Sequence, residues 1–183
     1  MSDISEGRPL PLAGSLAGPL RWMNVLGSIP LVITVGVLVV AFARAPAGQA
    51  PPLFLLFLVP GLVLAMHLML VRSIARASVR IEQGELVVHT GLGRKCVPLS
   101  RLRKHGVRVV DLNQHKELKP FWRSWGTGLP GFTAGWFRLR NGERAVCLLL
   151  ARDRVTYLRD DVEQLSLLLS LADPDALRAR LQR

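Results

Sequence analysis

The chain has 183 residues, half of them hydrophobic, and 24 Lys and Arg against 13 Asp and Glu give it a formal net charge of +11. That length holds one domain and some extra, and the charge favours anionic partners, either nucleic acid or the negatively charged leaflet of a membrane. The two cysteines, Cys96 and Cys147, make neither a disulfide framework nor a metal motif, and each sits in an apolar context where a buried free thiol is the commonest state.

Residues 1–20 are rich in Gly, Pro, Ser and Ala without periodicity and read as a disordered tail. Two apolar runs follow. Asn24–Ala43 is twenty residues without a charge, and Pro51–Val71 is strongly apolar. Crossing a hydrocarbon core about 30 Å thick takes about 20 helical residues, so spans are expected over about 24–43 and 51–71. A cleaved signal peptide fits the first run poorly, because its apolar core would be shorter and nearer the start. The connection Arg44–Ala50 is short, so residues 21–73 read as an antiparallel transmembrane hairpin. Arg8 and Arg21 precede it, Arg72, Arg76 and Arg80 follow it, and only Arg44 lies on the far side. That asymmetry places both termini in the cytoplasm. Pro60-Gly61 suggests a kink in the second run. His67 is a functional candidate by default as an ionisable group within a span, but about one turn from the interface it is more simply satisfied locally.

Beyond Arg76 the period changes to two. Ser78–Glu82 alternates, Gly84 punctuates, Glu85–Thr90 resumes, and Gly91-Leu-Gly93 turns. Lys95–Leu99, Val107–Leu112, Trp136–Arg140, Glu143–Leu150, Val155–Leu158 and Leu165–Ser170 read as further strands, with Asn141-Gly142 a strong hairpin signal. Leu165–Leu171 is too short for a third span. The end reads as a helix capped by Asp173, with Pro174 at its first position, an apolar stripe at Ala176, Leu177 and Leu181, and Arg178, Arg180 and Arg183 beside it.

The stretch Trp125-Gly-Thr-Gly-Leu-Pro-Gly-Phe-Thr-Ala-Gly-Trp-Phe-Arg-Leu-Arg-Asn-Gly, followed by Asp173-Pro-Asp, resembles the bacterial pleckstrin-homology-like domains, which often follow a pair of transmembrane helices. The resemblance covers roughly residues 74–183. It implies an α+β membrane protein of the bacterial inner membrane, with a seven-stranded β-barrel capped by the C-terminal helix. It implies no catalytic residues and no cofactor.

Gly126-Thr-Gly128-Leu-Pro-Gly131 matches G-x-G-x-x-G, but a strand follows it and Pro130 interrupts it, so a tight structural turn is expected rather than a dinucleotide site. Lys116-Glu-Leu-Lys119-Pro-Phe121-Trp122-Arg123-Ser-Trp125 interleaves three aromatics with three basic residues. As a loop it could place aromatics in the headgroup layer while its cations meet anionic lipid, or it could fold its rings back onto the core. Stacking on nucleic acid is the weaker alternative. Arg94-Lys95 and Arg101-Leu-Arg103-Lys104 form a second basic group. His89, His105 and His115 lack ligand spacing, Asp160-Asp161 reads as a turn, and neither Ser100 nor Ser124 has a nucleophile context. The expected function is therefore a non-enzymatic membrane-anchored module that engages the inner leaflet or a membrane partner. A peptide-binding interaction subunit with no lipid role is the alternative. No nucleic acid, metal or cofactor is expected.

Overall fold

The computed structural model describes residues 9–45, 54–102 and 106–182, and both apolar runs in it are helical. Helix α1 spans Ala17–Arg44 and α2 spans Phe54–Ala75. At 1.5 Å per residue the 28 residues of α1 reach about 42 Å. Both helices are long and apolar enough to cross a bilayer. Their apolar side chains are uncovered, with Val32 68%, Phe57 75% and Leu62 70% exposed, where a core helix of a soluble domain would bury one face. The helices pack on each other through a notch: the His67 ring rests on Gly27, where any Cβ would overlap the imidazole. The connection expected at Arg44–Ala50 lies mostly outside the described residues.

The β domain holds ten strands among the described residues, in two sheets. The first sheet runs β1 (Pro9–Leu10), β2 (Ser78–Glu82), β3 (Glu85–His89), β4 (Arg94–Pro98), all antiparallel. The second has the order β5-β9-β10-β8-β7-β6. Its strands are β5 (Arg108–Val110), β6 (Pro120–Leu129), β7 (Phe132–Leu139), β8 (Arg144–Leu149), β9 (Val155–Asp160) and β10 (Leu165–Leu169). The expected seven-stranded barrel is thus corrected to two facing sheets. Closure would need the edge strands β4 and β1 to pair with β5 and β6, and neither pairing forms; the short helix α3 (Leu99–Leu102) follows β4, and β5 pairs only with β9. Strand β10 inserts between β9 and β8, parallel to β8, and the sheet ends in β5 on one edge and β6 on the other. All five residues of β10 are buried, as a central strand covered on both faces requires.

The expected disordered tail is corrected from residue 9 onward. Leu10 pairs with Val79 and is buried, Leu12 bridges to Leu171, and the Ala13 N–H donates to the Ser170 carbonyl at 2.9 Å. Composition suggested disorder, but the open edge of β2 offers this segment backbone partners and the core offers Leu10 a place. Residues 1–8 lie outside the described residues. Only Arg76 and Ala77 link α2 to β2. Two more expectations hold. The Ala176 N–H donates to Asp173 Oδ1 at 3.0 Å, capping α4 (Pro174–Gln182), and Gly142 turns the β7–β8 hairpin at φ +87°.

The main core lies between the sheets and takes in Leu86, Val97, Phe132, Val146, Leu167 and Leu177. Met23 and Ile74 from the helix ends join it, with Leu20, Leu70 and Val71 packed alongside. A second cluster of Leu112, Phe137, Cys147, Leu149, Val155 and Leu168 lies on the outer face of the six-stranded sheet. Burial pushes the Cys147 thiol well above its ordinary range, so it is unreactive in the folded state, whereas Cys96 is half-exposed.

Ion pairs clasp the two sheets together. Lys95 on β4 binds Glu163 in the β9–β10 turn, and Arg101 lies 3.6 Å from Glu163 and 3.8 Å from the buried Asp160. The Trp136 ring sits between Lys95 and Arg144, at 6.0 and 5.9 Å from its centroid. The hydrogen bond from Lys95, then the charges of Lys95, Arg101 and Arg144, hold the Glu163 carboxyl below its ordinary range. A carboxyl lowered by folding stabilises the fold above its unfolded-state value and loses that stabilisation as pH falls through its folded-state value. Thermal unfolding should therefore show lower stability as pH drops below about 4.5, and the Glu163→Gln variant should show a smaller drop over the same range. An identical pH profile for the two proteins would exclude Glu163 from the clasp.

Candidate functional site

The basic-aromatic stretch is not a loop. It begins with a 3₁₀ turn at Lys116–Leu118 and continues as β6, a ten-residue edge strand. An edge strand should alternate its side chains between two faces, yet Phe121, Trp122, Arg123, Ser124 and Trp125 are all exposed. The register against β7 accounts for this. It slips between Pro120 and Trp122 and again between Arg123 and Trp125, so Phe121 and Ser124 are the extra residues of two bulges. The outcome is three large rings in water's reach, Phe121 at 71%, Trp122 at 67% and Trp125 at 62% exposure. Isolated apolar residues at a surface are ordinary, but three adjacent rings form a patch.

The patch lies close to the helix ends. The Trp125 Nε1–H donates to the Leu92 carbonyl at 3.4 Å. Leu92 belongs to the β3–β4 turn, whose Gly91 (φ +85°) is seated so tightly on the Ser73 backbone that a Cβ would overlap it. Trp125 is thus one hydrogen bond and one residue away from the last turn of α2. At the other end of β6, Leu129 packs on the same core as Leu16 and Leu20 at the start of α1.

Charge separates the two basic groups that the sequence presents. Arg94 lies 3.6 Å from Glu82, and Lys95 and Arg101 are taken up by the clasp. This group is held by internal carboxylates and is not a free basic face. Its remaining members, Arg103 and Lys104, lie outside the described residues. By contrast, Lys116, Lys119 and Arg123 form no ion pair among the described residues. Glu117, between two of them, is held by His115 at 3.0 Å. Sequence reasoning missed two cations that extend the group: Arg138 stands opposite Trp122 on β7, and the Arg140 N–H donates to the Lys119 carbonyl. The alternation of Trp136-Phe-Arg-Leu-Arg carried that signal.

The three glycines of the motif differ. Gly126 lies inside β6 at φ +141°, in register with Gly135 at φ +128°, and a Cβ on either would overlap the backbone of the facing strand. Gly131 occupies the β6–β7 turn at φ +74°. Gly128 has neither a positive φ nor a neighbour within 4 Å of a Cβ, so the expected conformational demand is absent there. A polar cluster elsewhere on the sheet is internally satisfied. Arg159 Nη1 donates to Glu143 Oε1 at 2.6 Å, and Ser166 Oγ to Glu143 Oε2 at 2.8 Å. No group of three His, Cys, Asp or Glu that could hold a metal occurs among the described residues.

Two apolar helices packed as a hairpin lead into a two-sheet β domain whose β6 edge exposes three aromatic rings. The model of the bacterial PH domain family matches residues 77–183, more than half of the chain, and the protein belongs to that family. Neither the search of curated proteins nor the search of solved structures returns a match.

Ala substitutions should divide the motif. Replacing Gly126 or Gly135 should lower stability by about 1–3 kcal/mol, the usual cost of a strained backbone position. Replacing Gly128 should change it by less than about 0.5 kcal/mol, as for an unconstrained surface site. Thermal unfolding of the full chain in detergent measures both, and equal losses at all three sites would contradict the geometry.

Proposed function

We propose that the protein is a non-enzymatic, membrane-anchored module whose strand β6 meets the cytoplasmic leaflet of the bacterial inner membrane. Helices α1 and α2 span the bilayer, and the Arg residues that flank the outer ends of the hairpin keep both termini inside. The observation that carries the reading is the exposure of Phe121, Trp122 and Trp125 beside Lys116, Lys119 and Arg123, which form no ion pair among the described residues, on a strand tied to the end of α2. Aromatic rings with polar edges favour the headgroup level, and each Lys or Arg near an anionic surface contributes about 1 kcal/mol. The bulges support the same reading, because they turn outward rings that regular alternation would have divided between two faces.

A single-Trp protein retaining Trp122, with Phe at the other three positions, tests the contact in full-length form. In bilayers containing anionic lipid brominated near the carbonyls, Trp122 emission should be quenched and blue-shifted. High salt should reduce the effect, since the Debye length is only about 8 Å at physiological ionic strength. Emission that stays red and fully accessible to acrylamide would exclude the membrane from β6.

Sidedness is tested separately with a Cys147→Ser, Cys96→Ser background. A cysteine at Ala45 should react with an impermeant maleimide added to intact cells, and one at the exposed Asn113 only after lysis. The reverse pattern would invert the topology.

A further inference from the structure

Helices α1 and α2 leave an open groove of about 220 Å³ along one side of the hairpin. Leu31, Val63 and Leu64 form its apolar length, and Asn24, Ser28 and His67 close the end nearer the β domain. The Ser28 hydroxyl donates to the Val25 carbonyl of its own helix at 2.8 Å. Asn24 and His67 have no such outlet: among the described residues neither forms a hydrogen bond or an ion pair. The expectation that His67 is satisfied locally is thus corrected, since its ring is seated on Gly27 and bonds to nothing there.

The two residues stand at one depth. Met23 on α1 and Leu70 on α2 pack on the domain core; Asn24 follows the first by one residue and His67 precedes the second by three. At 1.5 Å per residue they lie about 1.5 and about 4.5 Å past the points where their helices leave the domain, a difference in depth of about 3 Å. Both fall inside the apolar runs, where a polar group without a partner is costly and hydrogen bonds between helices hold them together. A side-chain amide and a neutral imidazole each carry both a donor and an acceptor, so each can satisfy the other. Within one chain they line the same groove and do not bond.

We propose that this groove is the interface for a second copy of the chain, in which Asn24 of each copy shares a hydrogen bond with His67 of the other. Copies inserted with the same topology are related by a twofold axis along the membrane normal, and rotation about that axis preserves depth. Half a turn sets α1 of one copy opposite α2 of the other. Groove then faces groove, the Asn24–His67 pair forms twice, and Leu31, Val63 and Leu64 pack across the same seam deeper in the hydrocarbon. The proposal rests on the reading that both helices span the bilayer and is independent of whether β6 meets the leaflet.

The test uses the full chain in liposomes, with Cys96→Ser and a donor or acceptor dye on a cysteine at the exposed Asn113, the buried Cys147 being left in place. Energy transfer followed against the ratio of protein to lipid should rise to the plateau of a dimer. Asn24→Ala and His67→Ala each remove both pairs, and each should weaken association about tenfold through the loss of two interhelical hydrogen bonds. An equimolar mixture of the two variants regains one pair, because the Asn24→Ala chain keeps His67 and the His67→Ala chain keeps Asn24. Transfer between the variants should therefore report association about threefold tighter than within either one. Should His67→Ala fail to fold, Asn24→Ala alone reads the loss, and His67→Leu, which keeps the notch at Gly27 filled, takes its place in the mixture. Single variants that associate as the parent does would overturn the proposal, since water or lipid then satisfies both groups. So would a mixture no tighter than its components, or transfer that never exceeds random proximity. Inserted chains that stay monomeric while Trp122 is quenched would remove the dimer and leave the leaflet contact standing. Chains that carbonate strips from the liposomes would overturn the dimer by removing the spans themselves.

Discussion

The helical hairpin is built into the β domain at both of its ends, and most other features depend on that constraint. On one side β1 pairs with β2 and leads through Leu12 and Ala13 into α1. On the other, only Arg76 and Ala77 separate α2 from β2, while Ile74 and Met23 sit in the domain core. A domain joined by a single flexible linker would tumble at the membrane surface. One joined by two short covered connections, with Gly91 seated against Ser73, presents a defined side toward the plane in which the helices end. Burial of a Leu such as Leu10 contributes about 1.5–3 kcal/mol, so the segment before α1 is part of the fold and not an appendage.

With the hairpin placed, the strand edges acquire distinct roles. The β2 edge is covered by β1, and the β4 edge is secured to the other sheet through Lys95, Glu163 and Trp136. Strand β6 remains long, bulged and aromatic. Bulges and charges are the usual means of keeping an edge from pairing with another chain. Here the same bulges turn the rings outward, so protection of the edge and display of the patch come from one irregularity.

The basic residues divide in a way that net charge conceals. One set faces Glu82, Asp160 and Glu163 and joins the sheets; the other surrounds β6 and has no internal counter-charge among the described residues. Only the second set leaves its full field available to an anionic surface. The glycines divide similarly. Gly126 and Gly135 allow two strands to approach, Gly131 turns the hairpin, and Gly128 meets no such demand.

Local signals in the sequence determined the two apolar helices, most strands of the β domain, the Asn141-Gly142 hairpin and the Asp173 cap, because each depends on periodicity or on a few adjacent residues. They also located the basic-aromatic stretch. Other features were decided by tertiary structure. The Gly- and Pro-rich segment before α1 is ordered because a distant strand, β2, offers it partners. Lys116–Trp125 reads as a loop because two bulges break the alternation by which strands are recognised, and only pairing with β7 reveals them. That the described strands form two sheets and not a closed barrel is decided by which distant strands pair: β5 joins β9, some fifty residues away, and no strand of one sheet pairs with a strand of the other. Which cations are neutralised depends on carboxylates far along the chain, as with Lys95 and Glu163. Composition determines how much charge and apolar surface a chain carries, whereas contacts between distant residues decide which of it remains exposed.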